Sequence, residues 1–134
     1  MAEDKLSEKN FTILIAEDNE VNMFFLVTLM KIYVPKAILL QATDGEKVMN
    51  VLSQIRPDLI YLDLSLPLKD GFEIALELKT NDETRDIPII VLTASDSDQL
   101  KSKLIALGVD LYIKKPASKD IIKASLTDIL KIEI

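Results

Sequence analysis

The chain predicts an α/β fold, a doubly wound parallel sheet with helices on both faces, and three observations predict it. Apolar runs rich in β-branched residues alternate with segments of helical period. The runs are continuously apolar rather than alternating, as expected of strands covered on both sides. Several of them end in a reactive side chain: Glu17-Asp18, Asp63, Thr93 and Lys115. In an open parallel sheet those carboxyl ends converge on one crevice.

The elements follow in order. Residues 1–10 are polar, lack a signal-peptide core and read as a loose tail. Phe11-Thr12-Ile13-Leu14-Ile15-Ala16 is the first strand, and residues 19–33 form a helix stopped by Pro35. A second strand covers 37–42 and a second helix 45–55, with a break at Arg56-Pro57-Asp58. The third strand, 58–63, carries Leu59-Ile60-Tyr61-Leu62 and ends on Asp63; a helix covers 71–81. The fourth strand, 88–93, ends on Thr93, and a helix over 98–107 is closed by Gly108, which takes the left-handed cap at little cost. The fifth strand, 110–114, leads to Lys115-Pro116, and Ser118 caps a last helix over 119–131. This order implies one domain, residues 11–131, with right-handed crossovers.

Composition removes whole classes of function. With no Cys and no His among 134 residues, disulfides, thiolate or imidazole metal sites and most hydrolase triads are excluded. The net charge of −6 argues against electrostatic binding of nucleic acid. No apolar run approaches the roughly 20 residues of a membrane span, and a reducing, cytoplasmic setting fits a chain without cysteine.

Glu17, Asp18 and Asp63 are expected at neighbouring strand ends. Two like charges about 4 Å apart repel by roughly 4 kcal/mol at an effective dielectric near 20. A divalent cation removes that cost, and a few hard oxygen ligands suit Mg²⁺, which often bridges to phosphate. An acidic residue after a strand also serves simply to cap the next helix, and for Asp18 alone that reading is as good. For all three carboxylates with Thr93 and Lys115 it is not.

In these residues the chain resembles the response-regulator receiver domains of two-component signalling. The resemblance rests on Glu17-Asp18, Asp63 followed by Leu66-Pro67 and Asp70-Gly71, Thr93-Ala94, and Tyr112 ahead of Lys115-Pro116. It covers residues 11–131 and implies the flavodoxin-like strand order 2-1-3-4-5. It further implies that Asp63 is a phosphoacceptor and that Asp18, Asp63 and the Ser65 carbonyl ligate Mg²⁺, with Glu17 acting through metal-bound water. By the same resemblance Lys115 and Thr93 would contact phosphoryl oxygens, and the Lys115–Pro116 bond would be cis. The resemblance also implies that Thr93 and Tyr112 move together as the switch. Ser65 and Ser95 occupy positions that tune phosphoryl lifetime and, being small and neutral, mark neither a long nor a short one. The implied partner is a histidine kinase or histidine phosphotransfer protein, with an unnamed downstream partner.

Two rivals fit less well. A Mg²⁺-dependent aspartyl phosphatase wants a second catalytic Asp just after the first, where Leu64-Ser65 stand. A pseudo-receiver should have lost acceptor or metal ligands. Whether the chain is a stand-alone regulator or part of a hybrid kinase stays open. Lys114, beside Lys115, points to the opposite face and is read as solvated. Projecting 19–33 at the helical period places Asn22, Leu26, Leu29 and Tyr33 toward the sheet. It leaves Phe24 and Val27 outward with Met23 at the edge, and the resemblance makes these three, with Pro116, a candidate surface for the histidine-bearing partner.

Overall fold

The computed structural model describes residues 10–95 and 97–134, so the expected tail at 1–10 lies outside the described residues except for Asn10. Strands and helices alternate strictly. They are β1 (Thr12–Ala16), α1 (Glu20–Tyr33), β2 (Ile38–Ala42), α2 (Gly45–Gln54), β3 (Leu59–Asp63), α3 (Gly71–Thr80), β4 (Ile89–Thr93), α4 (Asp98–Leu107), β5 (Leu111–Lys114) and α5 (Lys119–Leu130). Each helix starts behind a short polar cap, Asn19, Asp44, Asp70, Ser97 or Ser118, whose side chain accepts the N–H three residues on. Gly108 closes α4 at φ 97°.

All five strands pair in parallel, in the order β2-β1-β3-β4-β5. The reversal of order after β1 opens the crevice that this topology uses for ligands. Two apolar layers sandwich the sheet. One joins Ile13, Ile15, Leu59, Tyr61, Ile90, Leu92 and Ile113 to α1 and α5. The other joins Leu14, Ile60, Leu62, Ile89 and Val91 to α2, α3 and α4. β1, β3 and β4 are buried almost throughout, as their unbroken apolar runs require. β2 departs from that expectation: Ile38 and Gln41 are exposed, because this strand pairs with β1 alone and forms the sheet edge.

The first helix also departs from its predicted phase. Met23 and Val27 are buried with Leu26, Leu29 and Met30, while Asn22 is exposed. Of the three helix residues in that candidate surface, only Phe24 faces outward, at 73% exposure. The reason is that α1 is apolar nearly all round, so periodicity does not choose its inner face. The spacing 23, 26, 27, 30 is the stripe that packs, and Val21, Phe25 and Ile32 are the apolar residues left outside with Phe24.

Candidate functional site

Register and alternation assemble the site. Ala16 pairs with Leu62, so Glu17 comes level with Asp63 across β1 and β3. Asp63 pairs with Leu92, and Thr93 with Lys114, so Thr93 and Lys115 lie one step further along the same rim. Side chains alternate between the two faces of a sheet. Glu17, Asp63 and Lys115 continue the odd-numbered stripes of β1, β3 and β5 that face α1 and α5. Thr93 continues the stripe of Ile89 and Val91 on the other face, where Tyr112 also packs.

On the first of these faces Lys115 Nζ donates to Glu17 Oε1 at 2.7 Å and to Asp63 Oδ2 at 2.8 Å. The second oxygen of Asp63 accepts the Ser65 N–H at 2.9 Å, and Glu17 Oε2 accepts the Asn19 N–H at 3.3 Å. Glu17 is fully buried, Asp63 is 2% exposed, and Asp18 is exposed. One carboxylate oxygen from each of the three lies within 4.8 Å of the others. Opposed oxygens around Mg²⁺ sit about 4.2 Å apart, twice its usual bond length. These atoms can therefore converge on one such ion with small shifts, and three carboxylates against one amine leave negative charge for it to offset.

The electrostatics are asymmetric. Burial pushes the Glu17 carboxyl above its ordinary 4.5; the hydrogen bond with Asp63 adds to this and the Lys115 amine opposes it. Burial also works to raise Asp63, but hydrogen bonds from Glu17, Lys115 and the Ser65 N–H outweigh it and hold this carboxyl below 3.8. Burial disfavours the Lys115 charge, yet its bonds to Asp63 and Glu17 more than compensate and keep the amine above 10.5. Of the two buried carboxyls, Asp63 is the one held more acidic, at the centre of the rim with the Lys115 amine beside it.

The other face carries a chain of hydrogen bonds that sequence reasoning did not find. Thr93 Oγ1 accepts the Ser95 N–H at 3.1 Å, and the Tyr112 hydroxyl donates to the Ser95 carbonyl. Ser95 therefore connects the two residues expected to move together. Two glycines set the walls. A Cβ at Gly71 would lie 2.4 Å from the Asp63 carbonyl oxygen, and one at Gly45 only 1.9 Å from that of Lys69. No larger residue lets α2 and α3 begin so close to the loop that leaves Asp63. Gly71 was visible in the sequence as part of Asp70-Gly71; Gly45 carried no signal until Lys69 was placed against it. Lys115–Pro116 is a cis peptide bond, and Lys114 is exposed. Pro116 is exposed too, and with Val21, Phe25 and Ala94 it lines a groove between α1 and the loop after β5.

Comparison with known proteins gives a consistent result. The family model for the response regulator receiver domain matches residues 13–127. The polar-differentiation response regulator DivK of Brucella anthropi is 34% identical over 107 residues, 80% of this chain and 85% of that protein. Hybrid signal transduction histidine kinase D of Dictyostelium discoideum is 31% identical over 141 residues, 96% of this chain. The chain spans only 9% of that kinase and 32% of the transcriptional regulator RpaA of Synechocystis, which is 43% identical over 76 residues. Among solved structures, the phosphorylated cyanobacterial phytochrome response regulator RcpA superposes with a TM-score of 0.84 at 29% identity, covering 91% of this chain and 95% of that one. The Mn²⁺-bound response regulator Rcp1 gives 0.83 at 30% identity, covering 92% and 97%.

Proposed function

The chain belongs to the response regulator receiver domain family, and we propose that Asp63 is its phosphoacceptor in a two-component phosphorelay. The observation that carries this reading is the Lys115 amine held between Asp63 and Glu17 at a rim shared with Asp18 and Thr93. An Asp63 oxygen attacks phosphorus in a phosphohistidine donor. The P–N bond breaks, its electron pair stays on the imidazole, and an acyl phosphate forms on Asp63. Catalysis of such a transfer is mostly positioning and charge stabilisation. The Ser65 N–H orients the attacking carboxylate, and Lys115 supplies a fixed cation for the phosphoryl oxygens. Thr93 Oγ1, exchanging its bond from Ser95, donates to another of them.

Asp18, Asp63 and the Ser65 carbonyl would hold Mg²⁺, with Glu17 acting through a metal-bound water; the ion would offset the charge of the carboxylates and of the incoming phosphoryl group. The new group carries about −1.5 to −2 charges near neutral pH. It draws Thr93 toward itself, and through Ser95 it alters the bond that holds Tyr112. That couples the acceptor to the α4–β5–α5 face, where a downstream partner would read it. The phosphodonor is a histidine kinase or a histidine phosphotransfer protein. It would dock along α1 and Pro116, with Phe24 retained from the predicted surface and Val21 and Phe25 replacing the buried Met23 and Val27. Relatives of both kinds exist, so the domain would work alone or inside a larger kinase. Among the described residues no helix is long and apolar enough to cross a membrane.

Incubation with Mg²⁺ and acetyl phosphate should add one phosphoryl group by intact mass, and Asp63→Asn should abolish it. Equal incorporation in the variant would place the nucleophile elsewhere.

A further inference from the structure

The loop between β3 and α3 contains an exposed apolar residue on unfavourable backbone. Leu68 has φ 70°, and it is 72% exposed. A single exposed leucine needs no explanation. A leucine on left-handed backbone does, because its Cβ crowds the following carbonyl, and glycine or asparagine takes that conformation far more readily. The turn is held from both sides. The Pro67 carbonyl accepts the Lys69 N–H at 2.8 Å, closing a γ-turn over Leu68, and it also accepts the Gly45 N–H at 3.0 Å. That is the rarer, strained kind of γ-turn. The flanks are pinned as well. The Gly71 N–H reaches the Leu64 carbonyl at 3.0 Å, and Asp70 caps α3. Surroundings that over-determine a strained residue are what lets it persist, and such residues cluster at functional sites.

The place of the turn says what would use it. It belongs to the seven-residue connection that leaves Asp63 at the carboxyl end of β3. Asp63 is almost fully buried, so a macromolecular donor must bring its histidine to within about 3.5 Å and lie against the loop tips around the crevice. Leu68 stands on the connection that the acceptor strand itself feeds. Outside α1, it is the most exposed large apolar side chain among the described residues. Among the described residues, neither apolar layer of the sheet includes it.

We propose that Leu68 is a specificity-determining contact for the phosphodonor protein, an apolar anchor projected by the strained turn into the donor's surface. This rests on the reading of Asp63 as phosphoacceptor. It concerns only donors that are proteins, since a small donor reaches Asp63 without covering the turn.

The test uses the full chain and the histidine kinase that transfers fastest to it in a phosphotransfer profile, with acetyl phosphate as the small donor. Leu68→Asn should slow transfer from that kinase on the order of tenfold, the effect of losing one anchoring side chain. Its acetyl phosphate labelling should be unchanged and its unfolding midpoint should not fall, because asparagine relieves the backbone. Leu68→Met, which keeps an apolar side chain of similar reach, should transfer close to the wild-type rate. Wild-type transfer in Leu68→Asn would overturn the proposal. So would an equal slowing of both donors, which would place the turn's effect on the chemistry. A wild-type chain that takes no phosphoryl group from either donor would overturn the reading of Asp63, and this proposal with it.

Discussion

Two lysines at opposite ends of the same sheet show how a structural ion pair differs from a site. At the amino end Lys79, 6% exposed at its side chain, donates to the Arg85 and Ile87 carbonyls at 3.0 and 2.9 Å and lies 3.5 Å from Asp110. Asp110 in turn accepts the Ile89 N–H at 2.9 Å. An ammonium has three donors, and here each has an acceptor; one cation meets one carboxylate. At the carboxyl end Lys115 lies between Glu17 and Asp63, with Asp18 close by. Three carboxylates face one amine. The residue types match, so a half-buried Lys–acid contact is not in itself a functional signature. The surplus of negative charge, gathered where strand ends converge, is what distinguishes the second cluster.

Substitution separates the two ends of the sheet. The largest loss of stability should come from Lys79→Ala, which strands two carbonyls and takes the cation away from Asp110. Removing one partner of a buried pair costs about 3–5 kcal/mol, and the 36% exposure of the Asp110 side chain reduces this to about 2 kcal/mol. Chemical denaturation should show that loss, while acetyl phosphate labelling of the folded protein stays at the wild-type rate. A labelling defect in Lys79→Ala would mean that the two ends are not independent.

A smaller effect is expected midway between them. The Tyr61 hydroxyl and Ser125 Oγ share a buried hydrogen bond linking β3 to α5, and Ser125 also donates to the Ile122 carbonyl at 2.7 Å. Ser125→Ala leaves the fully buried Tyr61 hydroxyl without its partner and should cost about 1–2 kcal/mol. Tyr61→Phe leaves Ser125 still bonded and should cost about 1 kcal/mol or less. Unfolding curves measured on both variants check the order of the two values.

Much of this was legible in the sequence, for reasons that name themselves residue by residue. Continuous apolar runs located β1, β3 and β4 to within one residue, because strands covered on both faces leave no polar alternation to misread. The site came with them, since parallel strands bring Glu17, Asp63, Thr93 and Lys115 to one rim whatever the packing beneath. The inner face of α1 was not legible. With Val21, Met23, Phe24, Phe25, Leu26 and Val27 nearly contiguous, several phases fit the apolar pattern, and the α5 side of the core selects one. The Tyr61–Ser125 bond spans 64 residues of chain and has no local signal. Ser95 was noticed for a different role, and only the placement of the Tyr112 hydroxyl shows it as the connection to Thr93.

The charge surplus at the carboxyl end makes a cation site, and thermal unfolding with and without Mg²⁺ reads its occupancy. Wild type should gain stability as Mg²⁺ is added, by about 2.7 kcal/mol when the ion reaches a hundred times its Kd. Asp18→Asn, which removes a hard charged ligand without touching the Lys115 pair, should lose most of that gain. Asp110→Asn, at the balanced end, should begin from a lower midpoint and keep all of it. An equal Mg²⁺ response in Asp18→Asn and wild type would mean that the ion does not bind at this carboxylate cluster.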